Sequence, residues 1–225
     1  MKKVFISEKA NGILREYLRS LGYSPVNIST NGIVDEPISC HPDVFMCKLG
    51  VDDDSPVIFA SGSDVGFGYP SDSVFNAACT GEFFFHKLAV TNPRLLSAAG
   101  SFSKTAPTGM KFVDVRQGYT KCSMVVVDRN SIITYDKGII KACSMYPEIN
   151  VLEVEPGHCF LEGYDTGFIG GCSGRVGNKV IFNGNLKAHP DFQRILSFIK
   201  SRGLDCVWFP EYELTDIGSI ITCEE

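Results

Sequence analysis

A chain of 225 residues with 44% hydrophobic residues, 21% charged residues and a formal net charge of −5 can build a sizeable core and lacks the bias of a disordered segment. Its 21 Lys and Arg are scattered rather than striped, which argues against nucleic acid, because phosphates need a basic face. No apolar run reaches the roughly 18–20 residues that cross a bilayer. The run after Lys2-Lys3 breaks after Val4-Phe5-Ile6, too short for a secretory signal. A single cytoplasmic domain over residues 1–225, with no membrane contact, is expected.

In chain order, a strand is expected at 2–6. A helix over 8–21 sets Ala10, Leu14, Tyr17 and Leu18 on one stripe and stops at Gly22, before a strand at 25–28. A hairpin of 43–49 with 56–60 follows. After it, a Gly, Ser and Asp loop at 61–73 stands where a helix would otherwise come. The next hairpin, 74–79 with 82–88, leads to a helix capped by Asn92 and opened by Pro93, then to a strand at 111–115. The hairpin of 122–127 with 131–135 is followed by a helix over 137–146, capped by Asp136, and a strand at 150–154. The hairpin of 168–176 with 179–183 turns at Gly177-Asn178, residues suited to positive φ. It leads to a helix over 190–202, ended by Gly203, and a strand at 205–209. The run 218–222 has the composition of one more strand.

Strand, strand, helix, strand therefore recurs at 74–115, 122–155 and 168–209. The N-terminal segment lacks only a first strand, which 218–222 can supply, and the hairpin 43–60 lacks only its helix. Units repeated in this way share one core. The expected fold is α/β: a propeller of five ββαβ units, one without its helix, with the ring closed by both termini so that the shared unit has no free edge.

Nine cysteines with no C-x-x-C pair fit neither a zinc ribbon nor a thioredoxin-type site. Most are expected to be core thiols of a reducing compartment. No metal ligand set and no organic cofactor is expected. Asp52-Asp53-Asp54 lacks the spacing and distal Glu of an EF-hand and reads as a solvated loop. His86 and His158 read as structural.

Polar residues gather where the first strands begin: His41 and Asp43, Asn76, Lys121 and Cys122, Cys172 and Ser173, Thr215 and Asp216. Each would be costly if buried alone, and a channel holding water or ligand would accommodate them together. Thiol, imidazole and carboxylate are the parts of an activated cysteine nucleophile. On a strand, His41 and Asp43 at i and i+2 would share a face. Cys172, within Gly170-Gly171-Cys172-Ser173-Gly174, sits where backbone can approach a ligand closely. The expected catalytic set is Cys172, His41 and Asp43. Cys122, in what periodicity makes the equivalent place one repeat earlier, is the rival nucleophile. Asn76, Asp64 in the Gly-rich loop, Asp216 and Ser173 are expected to contact a substrate. The tripeptide His-Pro-Asp returns at 189–191, where Pro190 is expected at the first position of a helix.

These features resemble the pentein fold of the guanidine-modifying enzymes, which include arginine and agmatine deiminases, dimethylarginine hydrolases and amidinotransferases. His41-Pro42-Asp43-Val44-Phe45 resembles their His-x-Asp motif, and Gly170-Gly171-Cys172 their glycine-flanked cysteine, in the same order. The whole chain also resembles an uncharacterised bacterial family of that fold, chiefly clostridial. That likeness rests on Gln117-Gly118-Tyr119-Thr120-Lys121-Cys122, Gly167-Phe168-Ile169-Gly170-Gly171 and Thr215-Asp216-Ile217-Gly218-Ser219-Ile220. The resemblance implies a covalent adduct of Cys172 with a guanidino or amidino compound, with His41 moving protons and Asp43 gripping the cation. The Glu-Gly-Gly-Asp-like and Arg-Asp segments of those enzymes are absent from matching positions. Some proteins of this fold bind partners without catalysis. Two readings stay open: a cysteine hydrolase or transferase, and a non-catalytic protein whose channel binds a partner or small ligand.

Overall fold

The computed structural model describes residues 1–105 and 109–224. The first elements are β1 (Lys2–Ser7), α1 (Gly12–Ser20) and β2 (Ser24–Ile28), then a single helical turn α2 (Pro42–Phe45) and the hairpin β3 (Met46–Lys48) with β4 (Val57–Phe59). Next come β5 (Ala78–Cys79), β6 (Phe83–His86), α3 (Pro93–Ser103) and β7 (Lys111–Asp114), then β8 (Met124–Val126), β9 (Ser131–Thr134), α4 (Lys137–Cys143) and β10 (Asn150–Glu153). The chain finishes with β11 (Ser173–Val176), β12 (Lys179–Phe182), α5 (Phe192–Ser201), β13 (Asp205–Val207) and β14 (Ile221–Glu224).

The strands form small separate sheets in the orders β14-β1-β2, β3-β4, β5-β6-β7, β8-β9-β10 and β11-β12-β13. In the four larger sheets the first pair is antiparallel and the strand after the helix is parallel to the middle one. The run near the C-terminus does complete the first sheet: Lys2 pairs with Glu224 and Phe5 with Ile221. The helices begin where capping residues dictate. Asn11 accepts from Ile13 N at 2.9 Å, Asn92 from Arg94 N at 2.9 Å and Asp136 from Ile139 N at 2.8 Å. Each helix lays a buried stripe on its own sheet, for example Leu14 and Leu18 of α1, or Ile195 and Ile199 of α5.

The core is divided in the same way. Apolar clusters fill the spaces between consecutive units: Met46 with Phe5 and Ile221, Val44 with Phe75 and Phe84, and Phe83 with Met124 and Ile132. Val125 packs with Val180 and Phe182, and Ile181 with Val4 and Ile217.

The turns ahead of the first strands are linked by hydrogen bonds that form a closed circuit. Asp43 N donates to Gly218 O (3.1 Å), Ser219 N to Gly171 O (2.8 Å), Gly171 N to Cys122 O (2.9 Å) and Lys121 N to Asn76 O (3.0 Å). The Asn76 amide closes it on Asp43 O at 3.2 Å.

Three expectations change. First, the strands are shorter than their apolar runs, so Asn76, Cys122, Cys172 and Asp216 lie in the turns before them, while Ser173 opens β11. Second, His41-Pro42-Asp43 is not on a strand: His41 caps α2, with Pro42 at its first position. The ring fixes the φ a helix needs and removes an N–H that would be unpaired there. Third, at 189–191 it is Asp191 that caps α5, and Pro190 lies before the cap.

The acidic loop also differs. Asp52 is exposed and paired with Arg129, but Asp53 ties three elements together. It accepts from Tyr23 Oη at 2.5 Å, from Lys2 Nζ at 3.1 Å and from Gly177 N at 3.2 Å. Burial raises its pKa, but those donors together leave it below the usual carboxylate value. A depressed folded pKa means stability that is present at neutral pH and is lost as pH falls below about 4. Asp53→Ala should cost about 1–2 kcal/mol at pH 7, and the cost should shrink in acid. Urea melts of both proteins at pH 7 and 3.5 test this. An equal gap at both pH values would refute it.

Candidate active site

The closed circuit brings side chains of distant segments to one place. Four of the turns put a residue two positions before the first strand: Asn76, Cys122, Gly171 and Ser219. Asp43 comes from α2. The Cys122 thiol donates to Asp43 Oδ2 at 3.2 Å, and the Asn76 amide donates to Cys122 Sγ at 3.1 Å. Asn76 Oδ1 accepts from Cys122 N at 3.1 Å, so one amide fixes both ends of the cysteine. Ser219 Oγ donates to Asp43 Oδ2 at 2.6 Å and accepts from Lys121 Nζ at 2.9 Å. Lys121 also reaches Gly170 O at 3.3 Å. Ser219 is the non-glycine residue held at positive φ, +75°, a conformation that costs free energy unless its surroundings impose it.

On one side of this knot lies a cavity of about 240 Å³. His41, Cys122, Asp216, Asp72 and Asp35 supply its polar lining. Tyr69, Tyr119, Tyr164 and Phe168 form its apolar wall. The Tyr69 and Tyr119 rings lie 5.8 Å apart, and Tyr119 and Phe168 6.4 Å apart. No Lys or Arg lines it among the described residues. Two buried carboxylate oxygens, Asp43 Oδ1 and Asp72 Oδ1, have no hydrogen-bond partner. A buried acceptor left without a donor is costly, and a ligand that donates to it would relieve that cost.

Charges here are governed by burial. Burial pulls His41 down to about 4, so its ring is neutral at pH 7. Asp216 is pushed up to about 6 by burial, against donation from Gly218 N (3.0 Å) and Phe168 N (2.8 Å). Asp43 is also raised by burial, against His41 and Lys121. Burial, then Asp43 and Asp216, hold the Cys122 thiol well above the usual range. It is a thiol that donates, not a thiolate.

His41 Nδ1 and Asp216 Oδ1 are 3.8 Å apart, and their shifts oppose each other. The unfolded chain protonates His41 near 6.5 and the fold only near 4, so stability from this group is lost as pH falls through that window. The fold keeps the Asp216 proton up to about 6, against 3.8 for the ordinary group, so stability from this group is lost as pH rises from 4 to 6. In Asp216→Asn the His41 slope stands without its opponent. The variant should lose stability more steeply than the parent between pH 6.5 and 4.5. Parallel urea-midpoint profiles would show that the two groups do not titrate as described.

The structure brings His41, Asp43, Asn76, Cys122 and Asp216 together. It places the other expected residues elsewhere. Cys172 is fully buried among Val125, Ile169, Val180 and Phe182, and its thiol donates to Phe168 O at 3.3 Å. Burial, then neighbouring Cys159, pushes it well above the usual thiol range. It does not line the cavity. The close approach that Gly171 permits is made by the protein itself: a Cβ there would lie 2.0 Å from Asp216 Oδ1. Ser173 is buried and bonds to Gly170 O at 3.1 Å. Asp64 sits at the surface, bonded to Arg94 at 2.5 Å and Ser61 N at 2.8 Å. The same loop reaches the cavity instead through Tyr69 and Asp72. His86 is a strut: its ring nitrogens lie 2.9 Å from Gly118 O and 2.7 Å from Thr91 Oγ1. Among the described residues no group of three or more His, Cys, Asp or Glu is placed to hold a metal, and no helix is long and apolar enough to cross a membrane.

A family profile covers residues 5–221. The chain belongs to the family of unknown function DUF6873. No curated protein matches the chain. Among solved structures it is similar to a dimethylarginine dimethylaminohydrolase adduct with 4-chloro-2-hydroxymethylpyridine, with a TM-score of 0.51 and 11% identity over 92% of this chain and 91% of that chain. The likeness is one of fold: both are mixed α/β proteins of the same general architecture.

Sequence reasoning missed Ser219, Asp72 and the aromatic wall. Ser219 carried one signal, a polar residue after Gly218 in a run otherwise apolar. Gly218 adopts φ +67°, and a Cβ on it would lie 2.1 Å from His41 Cβ. The pair Gly218-Ser219 is therefore what seats the His41 segment.

Proposed function

We propose that the protein is a pentein-type propeller of five ββαβ units, and that its cavity takes a cationic guanidino or amidino small molecule on which Cys122 acts as nucleophile. The sheet orders, the clusters between consecutive units and the closed circuit of turns support the propeller. The bacterial, clostridial-type family resembled in sequence is proposed to be the family reported above. The observation that carries the functional reading is the cavity itself. Thiol, imidazole and carboxylates face one space of about 240 Å³ that has aromatic walls, an unpartnered oxygen on Asp72 and no lining cation, with Asp43 bonded to the Cys122 thiol from outside the lining. A planar cation fits such a lining by stacking on rings and donating to carboxylates.

The charge state follows from the ligand. A bound guanidinium offsets Asp43 and Asp216, which hold the thiol protonated, and so favours the thiolate. Cys122 passes its proton to Asp43 Oδ2, and the sulfur bonds to the central carbon. Asp43 gives that proton to the departing amine as the carbon–nitrogen bond breaks. Neutral His41 then accepts a proton from water, whose oxygen displaces the sulfur and leaves a ureido product and the restored thiol. Release of amine, ammonia or urea from a panel of guanidino compounds tests the reading. A panel with no turnover and no covalent adduct would remove it.

The alternative is a binding protein that uses the same cavity without chemistry. It is favoured by the Cys122 thiol being tied as a donor to Asp43. It predicts reversible guanidinium binding with no product.

A further inference from the structure

The far side of the same knot has the opposite character. A smaller hollow of about 40 Å³ is lined from all the first strands: Met46–Lys48, Cys79, Val126, Arg175 and Thr222 among others. Three cationic side chains converge there: Lys48, Arg175 and Lys121. No carboxylate lines it among the described residues.

None of the three is neutralised by an ion pair among the described residues. The Lys48 ammonium donates to Thr222 Oγ1 at 2.6 Å. Arg175 donates to two carbonyls, Val127 O at 2.6 Å and Gly177 O at 2.7 Å. Lys121 meets a hydroxyl and a carbonyl. In the neighbouring acidic loop Asp52 pairs with Arg129 and Asp53 with Lys2 and Tyr23, and together with Asp54 they act on Lys48 only at longer range. Partly buried cations gathered from separate strands repel one another and have lost part of their hydration. Burial lowers Lys48 to about 8, against the raising effect of Asp53 and its acidic neighbours. Carboxylates act on the three cations from outside the hollow, Asp53 on Lys48, Asp43 on Lys121 and Asp128 on Arg175, so an anion within it would add the direct charge pairing that the lining lacks.

The geometry points to a small-oxyanion site in this hollow, built by Lys48, Arg175, Lys121 and the Thr222 hydroxyl, and suited to a phosphate group. A hollow of about 40 Å³ has room for a few water-sized atoms, at roughly 10–15 Å³ for each. That fits the head of an oxyanion and not an organic body. The phosphate is therefore either free or the terminal group of a longer molecule that extends through the open mouth. Lys121 belongs to this site and also bonds Ser219, which bonds Asp43, so an anion on Lys121 sits three hydrogen bonds from Asp43.

Titration calorimetry with inorganic phosphate at constant ionic strength tests the site and needs no turnover. Saturable one-site binding is expected. Lys48→Met, which keeps the length of the stem, should weaken it by at least about tenfold, as for loss of one charge-assisted contact. Lys137→Met, at an exposed lysine paired with Glu153, should leave it unchanged. A simple phosphomonoester forms the second arm. Equal affinity assigns the site to the head group alone, and tighter binding assigns it to a longer ligand; both support it. Melting curves check that the variants fold. No saturable heat up to roughly 20 mM phosphate, a weak affinity by any standard, would overturn the proposal. Equal binding by Lys48→Met and the parent would overturn it too.

Discussion

Cys122→Ala should abolish covalent capture of a cationic amidine electrophile such as 2-chloroacetamidine, and Cys172→Ala should not. The two cysteines differ in what surrounds them. Cys122 faces the cavity with Asp43 and Asn76 on its sulfur, whereas Cys172 is enclosed by Val125, Ile169 and Phe182. Where the thiol is the nucleophile, its loss should lower any guanidine hydrolysis by roughly 10³-fold or more, since no neighbouring group can form the adduct. Cys172→Ala removes a small buried side chain and should cost about 1–2 kcal/mol of stability with activity retained. Capture should also outpace that by neutral iodoacetamide, because only the cation offsets the carboxylates around Cys122. Intact-mass and peptide spectra of parent and variants locate the adduct. Modification spread over several cysteines, or kept in Cys122→Ala, would sink the assignment.

Gly170→Ala should prevent folding. A Cβ at Gly170 would lie 2.3 Å from Lys121 O, 2.5 Å from Cys122 O and 2.5 Å from Met124 O. All three are backbone atoms, so no rotamer change relieves the clash. Moving that turn would break the Gly171 N bond to Cys122 O and displace Lys121 and Cys122 together. A loss of at least ~4 kcal/mol is expected, a large part of the 5–15 kcal/mol of a typical domain. Gly12→Ala is the control: nothing lies within 4 Å of a Cβ there and its φ is ordinary. Far-UV circular dichroism and urea melts compare the two. A Gly170→Ala protein with a near-parental midpoint would show that the turn yields more easily than its contacts imply.

The repeating pattern of hairpin, capped helix and parallel strand was legible because periodicity and caps are local. Asn92, Asp136 and Gly203 each mark an element edge without help from distant residues. The pairing of β1 with β14 was legible too, since one segment lacked a strand and another had one to spare. The choice of cysteine was not. Periodicity alone made Cys122 and Cys172 equivalent, but the two are offset by one residue. Ser123 N bonds to Tyr119 O as Cys172 N bonds to Phe168 O. Cys172 therefore matches Ser123, and Cys122 matches Gly171. One residue of offset turns a side chain to the other side of the chain, so Cys172 points into the core. Short turns carry no period of their own, and a strand start misjudged by two residues hides this. The glycines were read correctly as sites of close approach, but what approaches Gly171 is Asp216, nearly fifty residues away in sequence.

The pairing of Lys2 with Glu224 also constrains how the chain can reach this state. The other sheets are assembled from residues near one another in sequence and can form early. The first sheet joins segments more than two hundred residues apart, and loop closure on that scale is slow. Asp216 and Ser219 lie just before β14, so the pocket stays unfinished until that last sheet forms. Intermediates should therefore carry four formed sheets, an open seam between β1 and β14, and no ability to hold a ligand. A guanidinium or an oxyanion would then act on the final step alone, slowing the opening of the seam while leaving the earlier steps of folding untouched.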